Sequence, residues 1–163
     1  MTASVRETGG FSNRYPSEAM RDALLATVTE EVAAVQAFES LLVDEEKALI
    51  AAQPLPALPT IIEHKTALTE RIAELEKARD EQLNALGFPG GFVGMEAAAV
   101  GDAAIAEQWA LLTAAARRAK QGNNNNGVLI RTRMDYNRKT LAALQVAPSK
   151  SGFYGPDGRL PGA

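Results

Sequence analysis

The 163-residue chain contains no cysteine, one histidine and one tryptophan, and aromatic residues make up only 6% of it. Without cysteine there are no disulfides and no thiolate metal sites, which fits a reducing compartment. With His64 as the sole histidine, no Ser–His–Asp set, Cys–His pair or zinc site of usual composition can be drawn. A carboxylate di-iron bundle needs Glu-x-x-His on two helices, and Ile61 stands three before His64. The Gly-rich stretch Gly87–Gly94 is followed by no Gly-Lys-Ser/Thr, so it is no phosphate cradle. Glu45-Glu46 and Asp80-Glu81 read as solvated helix-face charge rather than cation ligands. No apolar run approaches the roughly 20 residues of a membrane span, and no N-terminal stretch resembles a signal peptide. The expectation is a soluble cytoplasmic protein that is not an enzyme and uses no cofactor or metal.

What is abundant is alanine, leucine and glutamate, which suits long helices better than sheets. Residues 1–16 are polar, hold Gly9-Gly10 and read as a flexible leader. Helix one is expected over about 17–52, capped by Ser17, with Leu25, Val28, Val32, Val35, Leu42 and Leu49 in alternating steps of three and four. At about 1.5 Å per residue it is roughly 50 Å long, too long for a compact globule. Pro54, Pro56 and Pro59 read as a stiff connector. Thr60-Ile61-Ile62-Glu63 has a capping-box pattern, and helix two is expected over about 60–86, with Ile61, Leu68, Ile72, Leu75, Leu83 and Leu86 as a coiled-coil seam.

Gly87-Phe88-Pro89-Gly90-Gly91-Phe92 breaks the chain, its two phenylalanines expected to fold back over the bundle end. Helix three, from Met95 or from a cap at Asp102 to about residue 122, carries Ile105, Trp109, Leu112 and Ala116 on one side. Gly122–Gly127 either interrupts the helix or weakens it. Helix four, about 127–145, carries Ile130, Met134, Leu141 and Leu144 on one stripe, and Asn137 on it as well; a polar residue in a seam fixes register or partner choice. The expected architecture is all-α, an elongated antiparallel bundle of three to four long helices over 17–146 with coiled-coil-like packing. Beyond Pro148, Phe153-Tyr154 precedes the turn Gly155-Pro156-Asp157-Gly158, in a tail (147–163) expected to be flexible. The aromatic pair is either a compact anchor for a partner or a frayed end packed on the bundle.

Charge is polarised. Residues 17–50 hold eight acidic and two basic residues, whereas 115–163 hold nine basic and two acidic. Antiparallel helices can match these stretches within one molecule; alternatively the basic face serves an acidic partner.

Ile105-Ala106-Glu107-x-Trp109, Asn123 through Gly127 followed by Val128-Leu129-Ile130, Asn137, and Tyr154-Gly155-x-Asp157-Gly158 together resemble the C-terminal half of FlgN-type flagellar export chaperones. The Lys65–Arg79 stretch, with Leu75-Glu76 and Arg79, is similar as well. The resemblance spans roughly residues 20–158 and is most specific from Ile105 to Gly158. It implies a cytoplasmic bacterial protein that holds hook-associated (hook–filament junction) proteins by their amphipathic C-terminal segments and delivers them to the flagellar type III export gate. Carried over residue by residue, it puts cargo binding on Leu129, Ile130, Met134, Asn137, Leu141 and Leu144, and export-gate docking on Tyr154. It implies no cofactor, no nucleic acid and no membrane insertion. Two other readings of the residues stay open: a structural coiled-coil adaptor that self-associates or scaffolds other proteins through the first two seams, and a nucleic-acid binder using the basic stretch.

Overall fold

Long runs of good helix formers, punctuated by proline and glycine, set the architecture. The computed structural model describes residues 15–52 and 57–146. It holds α1 (Tyr15–Ile50), α2 (Leu58–Ala85), the short α3 (Gly91–Val100) and α4 (Ala103–Val146), an all-α elongated bundle. Residues 1–14 of the leader and the C-terminal tail with Tyr154 lie outside the described residues, as does most of the Pro-Leu-Pro connector.

At 36 and 44 residues, α1 and α4 extend about 54 and 66 Å. The axis of the bundle is α1, which packs against α2 on one side and α4 on the other. Leu24, Val28, Val32, Val35 and Leu42 of α1 meet Leu83 of α2, Met95 of α3, and Ile105, Trp109, Leu112, Ala115 and Ala119 of α4 in one continuous core. Leu24 is the fully buried residue where the stripe reading put Leu25, which is only half-buried. No Cα of α2 comes within 8 Å of one of α4. The two flanking helices therefore lean on α1 without closing over it.

Several boundaries differ from the sequence reading, each for a local reason. Helix α1 starts at Tyr15 with Pro16 in its first turn, so Ser17 is inside the helix rather than its cap. Helix α2 starts at Leu58, and Pro59 belongs to its first turn instead of ending the connector. Proline suits that position because its fixed φ is already helical and the N–H it lacks would have no partner there. The Thr60–Glu63 capping box does not form: Ala57 is the N-cap and makes no side-chain cap bond.

The expected helices at 95–122 and 127–145 are redrawn most. The break falls at Gly101-Asp102, where Asp102 Oδ1 accepts from the N–H groups of Ala104 and Ile105, each at 3.1 Å. From there α4 runs unbroken through Gly122–Gly127. Four asparagines in a row cost helix propensity, and a tertiary anchor described below offsets that cost.

The 86–91 turn is a glycine-dependent reversal. Gly87 at φ 85° lets its N–H reach the Asn84 carbonyl (3.0 Å) and the Phe88 N–H reach the Leu83 carbonyl (2.9 Å), a Schellman closure of α2. Phe88 packs half-buried on the core as expected. Phe92 stays 61% exposed, yet its ring lies 5.5 Å from that of Trp109.

Candidate functional site

The far end of α4 outruns its partners. Arg133 donates to the carbonyl of Leu49 at the last turn of α1, and α1 ends one residue later at Ile50. Beyond that point α4 continues to Val146 with large apolar side chains in the open: Met134 56%, Leu141 60% and Leu144 69% exposed. Ile130, Met134 and Asn137 converge with Leu49 of α1 and Leu58 and Ile62 of α2 around a hollow of about 310 Å³, whose other walls are Glu45 and Arg133. Five of the six residues matched to cargo binding therefore behave as two groups. Ile130, Met134 and Asn137 form one wall of a three-helix hollow; Leu141 and Leu144 continue its stripe on unsupported helix. Leu129 is half-buried and sits about 100° around the helix from Ile130, off that stripe. Tyr154 lies outside the described residues.

Two buried polar clusters hold the helices at fixed register along α1. In the first, Arg79 of α2 donates from Nη1 to both carboxylate oxygens of Glu31 at 2.6 Å, both residues being buried. Its guanidinium also lies 5.6 Å from the centre of the Trp109 ring. Burial holds the Glu31 carboxyl above the usual carboxylate range, although the Arg79 charge and hydrogen bonds pull the other way. In the second, Glu45 receives Lys65 of α2 (3.0 Å) and the Asn126 side-chain amide of α4 (2.8 Å). Asn126 also donates to the Leu42 carbonyl at 2.9 Å and is fully buried. The clusters clasp α2 and α4 to α1, where no Cα of α2 comes within 8 Å of one of α4.

Asn126 is the residue the sequence reading missed. The run Asn123–Asn126 gave no reason to single out one member, whereas heptad position does: Asn126 is seven residues beyond buried Ala119 and so returns to the α1 face. Arg79 and Trp109 were noticed, but the contact between them from α2 to α4 could not be drawn from either helix alone.

Charge matching within the molecule is real but partial. Glu39 pairs with Arg118 (2.6 Å) and Arg21 pairs with Asp102 across the far end of the bundle. That pairing, with the Ile105 N–H, lowers the Asp102 carboxyl to about 2. Past Asn126 the matching stops. Among the described residues Arg131 has no carboxylate partner, and Arg138 has only Asp135 of its own helix, at 3.9 Å.

Among the described residues no group of three or more histidine, aspartate or glutamate side chains is placed to hold a metal ion. His64 is exposed. No helix among the described residues is long and apolar enough to cross a membrane. What the geometry offers is an open apolar surface with a basic border.

A family model described as FlgN protein matches residues 20–162 of the chain. The flagella synthesis protein FlgN of Yersinia enterocolitica is 37% identical over 60 residues, which are 37% of this chain and 40% of that relative. The match thus spans less than half the length of the curated relative. No solved structure matches the chain.

Proposed function

The chain belongs to the FlgN family, and from that premise we propose that it is a cytoplasmic chaperone for hook-associated flagellar proteins. It binds their amphipathic C-terminal segments, blocks premature assembly and delivers them to the flagellar type III export gate. Cargo is taken on the α4 stripe of Ile130, Met134, Asn137, Leu141 and Leu144 with Leu129 beside it, and Tyr154 docks the loaded chaperone at the gate.

One observation carries the reading: the last third of α4 exposes a row of large apolar side chains that no described part of the chain covers. A contiguous apolar row on a helix that overhangs its bundle marks an interaction site, since burying it gains free energy that solvent exposure forgoes. An amphipathic segment laid on it meets apolar anchors at i, i+4, i+11 and i+14, counted from Ile130, with Asn137 at i+7. Four to six such anchors at about 1.5–3 kcal/mol each give a gross gain near 10 kcal/mol. Ordering the segment and associating two molecules offset much of that. Micromolar to nanomolar binding follows, tight enough to shield a polymerising end and weak enough to release it. The relative's name, a flagella synthesis protein, supports the same setting.

The test separates the two tasks. Leu141→Asp with Leu144→Asp should weaken binding of a junction-protein C-terminal segment more than tenfold. Tyr154→Ala should leave that binding intact and impair capture by the purified export-gate protein. If Tyr154→Ala abolishes both equally, this division of labour is wrong.

A further inference from the structure

Because α2 and α4 lean on α1 without meeting, a trough runs between them over the α1 surface. Its floor follows single helix rows. On α1 the row is Glu31, Val35, Phe38, Glu45 and Leu49. Two adjoining hollows of about 250 and 240 Å³ share Val35, Ile72 and Ala116, and the 310 Å³ hollow at Ile130 and Met134 continues the same rows past the Glu45–Lys65–Asn126 cluster. From Glu31 to Leu49 the trough is about 27 Å long, the length of an 18-residue helix. In the middle the α4 wall is made of the small side chains Ala116 and Ala119, facing Thr69 and Ile72 of α2 over a floor of Val35 and Phe38, which leaves room on the α4 side for large side chains from an occupant.

The borders differ in charge. Counting 100° per residue from Ile130, Lys120, Arg131 and Arg138 fall at about 80–100°, all on the α4 edge that faces α2. On the α2 side the lining residues Ile62, Thr69 and Ile72 are uncharged, Lys65 between them is held by Glu45, and Glu76 follows near the far end. At that end Arg79, only 6% exposed and part of the lining, keeps a buried Nε with no acceptor among the described residues.

We propose that this trough, and not the α4 overhang alone, seats the cargo, which lies in it as the missing helix of a four-helix bundle and carries carboxylates along the flank facing α4. The inference rests on the chaperone reading above. The chain's own ends do not fit this role. Residues 1–14 hold Arg6 and Arg14 against Glu7, and residues 147–163 hold Lys150 and Arg159 against Asp157, so either would bring net positive charge to a basic edge. A second copy offering its own α4 stripe would bring the same arginines. An acidic amphipathic helix is the occupant that the charge of the α4 edge favours.

The absence of cysteine makes the test clean. Full-length Ala116→Cys, Met134→Cys and Val128→Cys, each carrying one nitroxide, report from the trough, the overhang and the outer face of α4. Probes are a synthetic junction-protein C-terminal segment and two 18-residue amphipathic peptides with the same Leu/Ala stripe, flanked by glutamate in one and lysine in the other. The expected result is loss of mobility at Ala116→Cys and Met134→Cys but not at Val128→Cys. The glutamate peptide should bind at least tenfold tighter than the lysine peptide at low salt, with the gap closing in Lys120→Glu/Arg131→Glu. A junction segment that immobilises only the Met134→Cys label overturns the proposal and leaves the chaperone reading standing, as does equal binding of the two peptides. Immobilisation that grows with protein concentration and without peptide overturns it in favour of a second copy. No binding of any probe overturns both.

Discussion

Single side chains decide how the three long helices register. Glu31 and Arg79 are a buried ion pair, and such pairs stabilise little against apolar replacement while being costly to break. Glu31→Ala or Arg79→Ala alone should cost about 3–5 kcal/mol, each stranding a buried charge. The double replacement Glu31→Leu/Arg79→Met should cost clearly less than either, as urea unfolding would read out. At the other end Asp102 has a lowered pKa, about 2 against an ordinary 3.8, through Arg21 and the Ile105 N–H. A carboxylate lowered in the folded state contributes stability above the unfolded value and loses it as pH falls through the folded one. Asp102→Asn keeps a capping acceptor and removes the charge. Its melting temperature should therefore lie below the parent's at pH 5, with the difference fading between about pH 4 and pH 2. Equal melting curves throughout that window would mean that the Arg21 pairing contributes nothing.

At the level of elements, α4 continues through a segment whose composition argues for a break. Asn126 is what carries it: its amide ties α4 to Glu45 and to the Leu42 carbonyl. Asn126→Ala should destabilise by about 1–3 kcal/mol, because it leaves buried acceptors unpaired. Asn124→Ala, on the exposed side, should stabilise by about 0.5 kcal/mol through propensity alone. Hydrogen exchange should show the first change loosening α4 beyond Gly122 and the second leaving it protected. The seams of α1 and α2 were legible in advance because apolar spacing survives without a partner. The continuity of α4 through Gly122–Gly127 was not, because Asn126 gains its meaning only from α1. The same limit governed the site: the stripe Ile130–Met134–Leu141–Leu144 could be read along one helix, whereas its meeting with Leu49, Leu58 and Ile62 required three. Proline misled where rules of arrest ignore position, since Pro59 sits comfortably in a first turn.

The whole molecule pairs a sealed end with an open one. Near Asp102 the short α3 joins the long helices on a shared core, with Arg21, Glu96 and Phe92 finishing the contacts; Trp109 Nε1 donates to Glu96 at 2.6 Å. Toward Val146 the apolar rows of α4 continue with nothing described above them, and acidic neighbours run out while arginines do not. That asymmetry explains why formal net charge, −3 for the chain, says little about the surface a partner meets. The central claim is that this open end captures an amphipathic helix through apolar burial. The most direct check is calorimetric titration of the full chain, at several temperatures, with a synthetic C-terminal segment of its own organism's hook–filament junction protein. Saturable one-to-one binding with a negative heat-capacity change is the predicted result. Absence of heat and of binding at every temperature, with the peptide shown to be helix-competent, would contradict the account and turn attention to a self-associating adaptor.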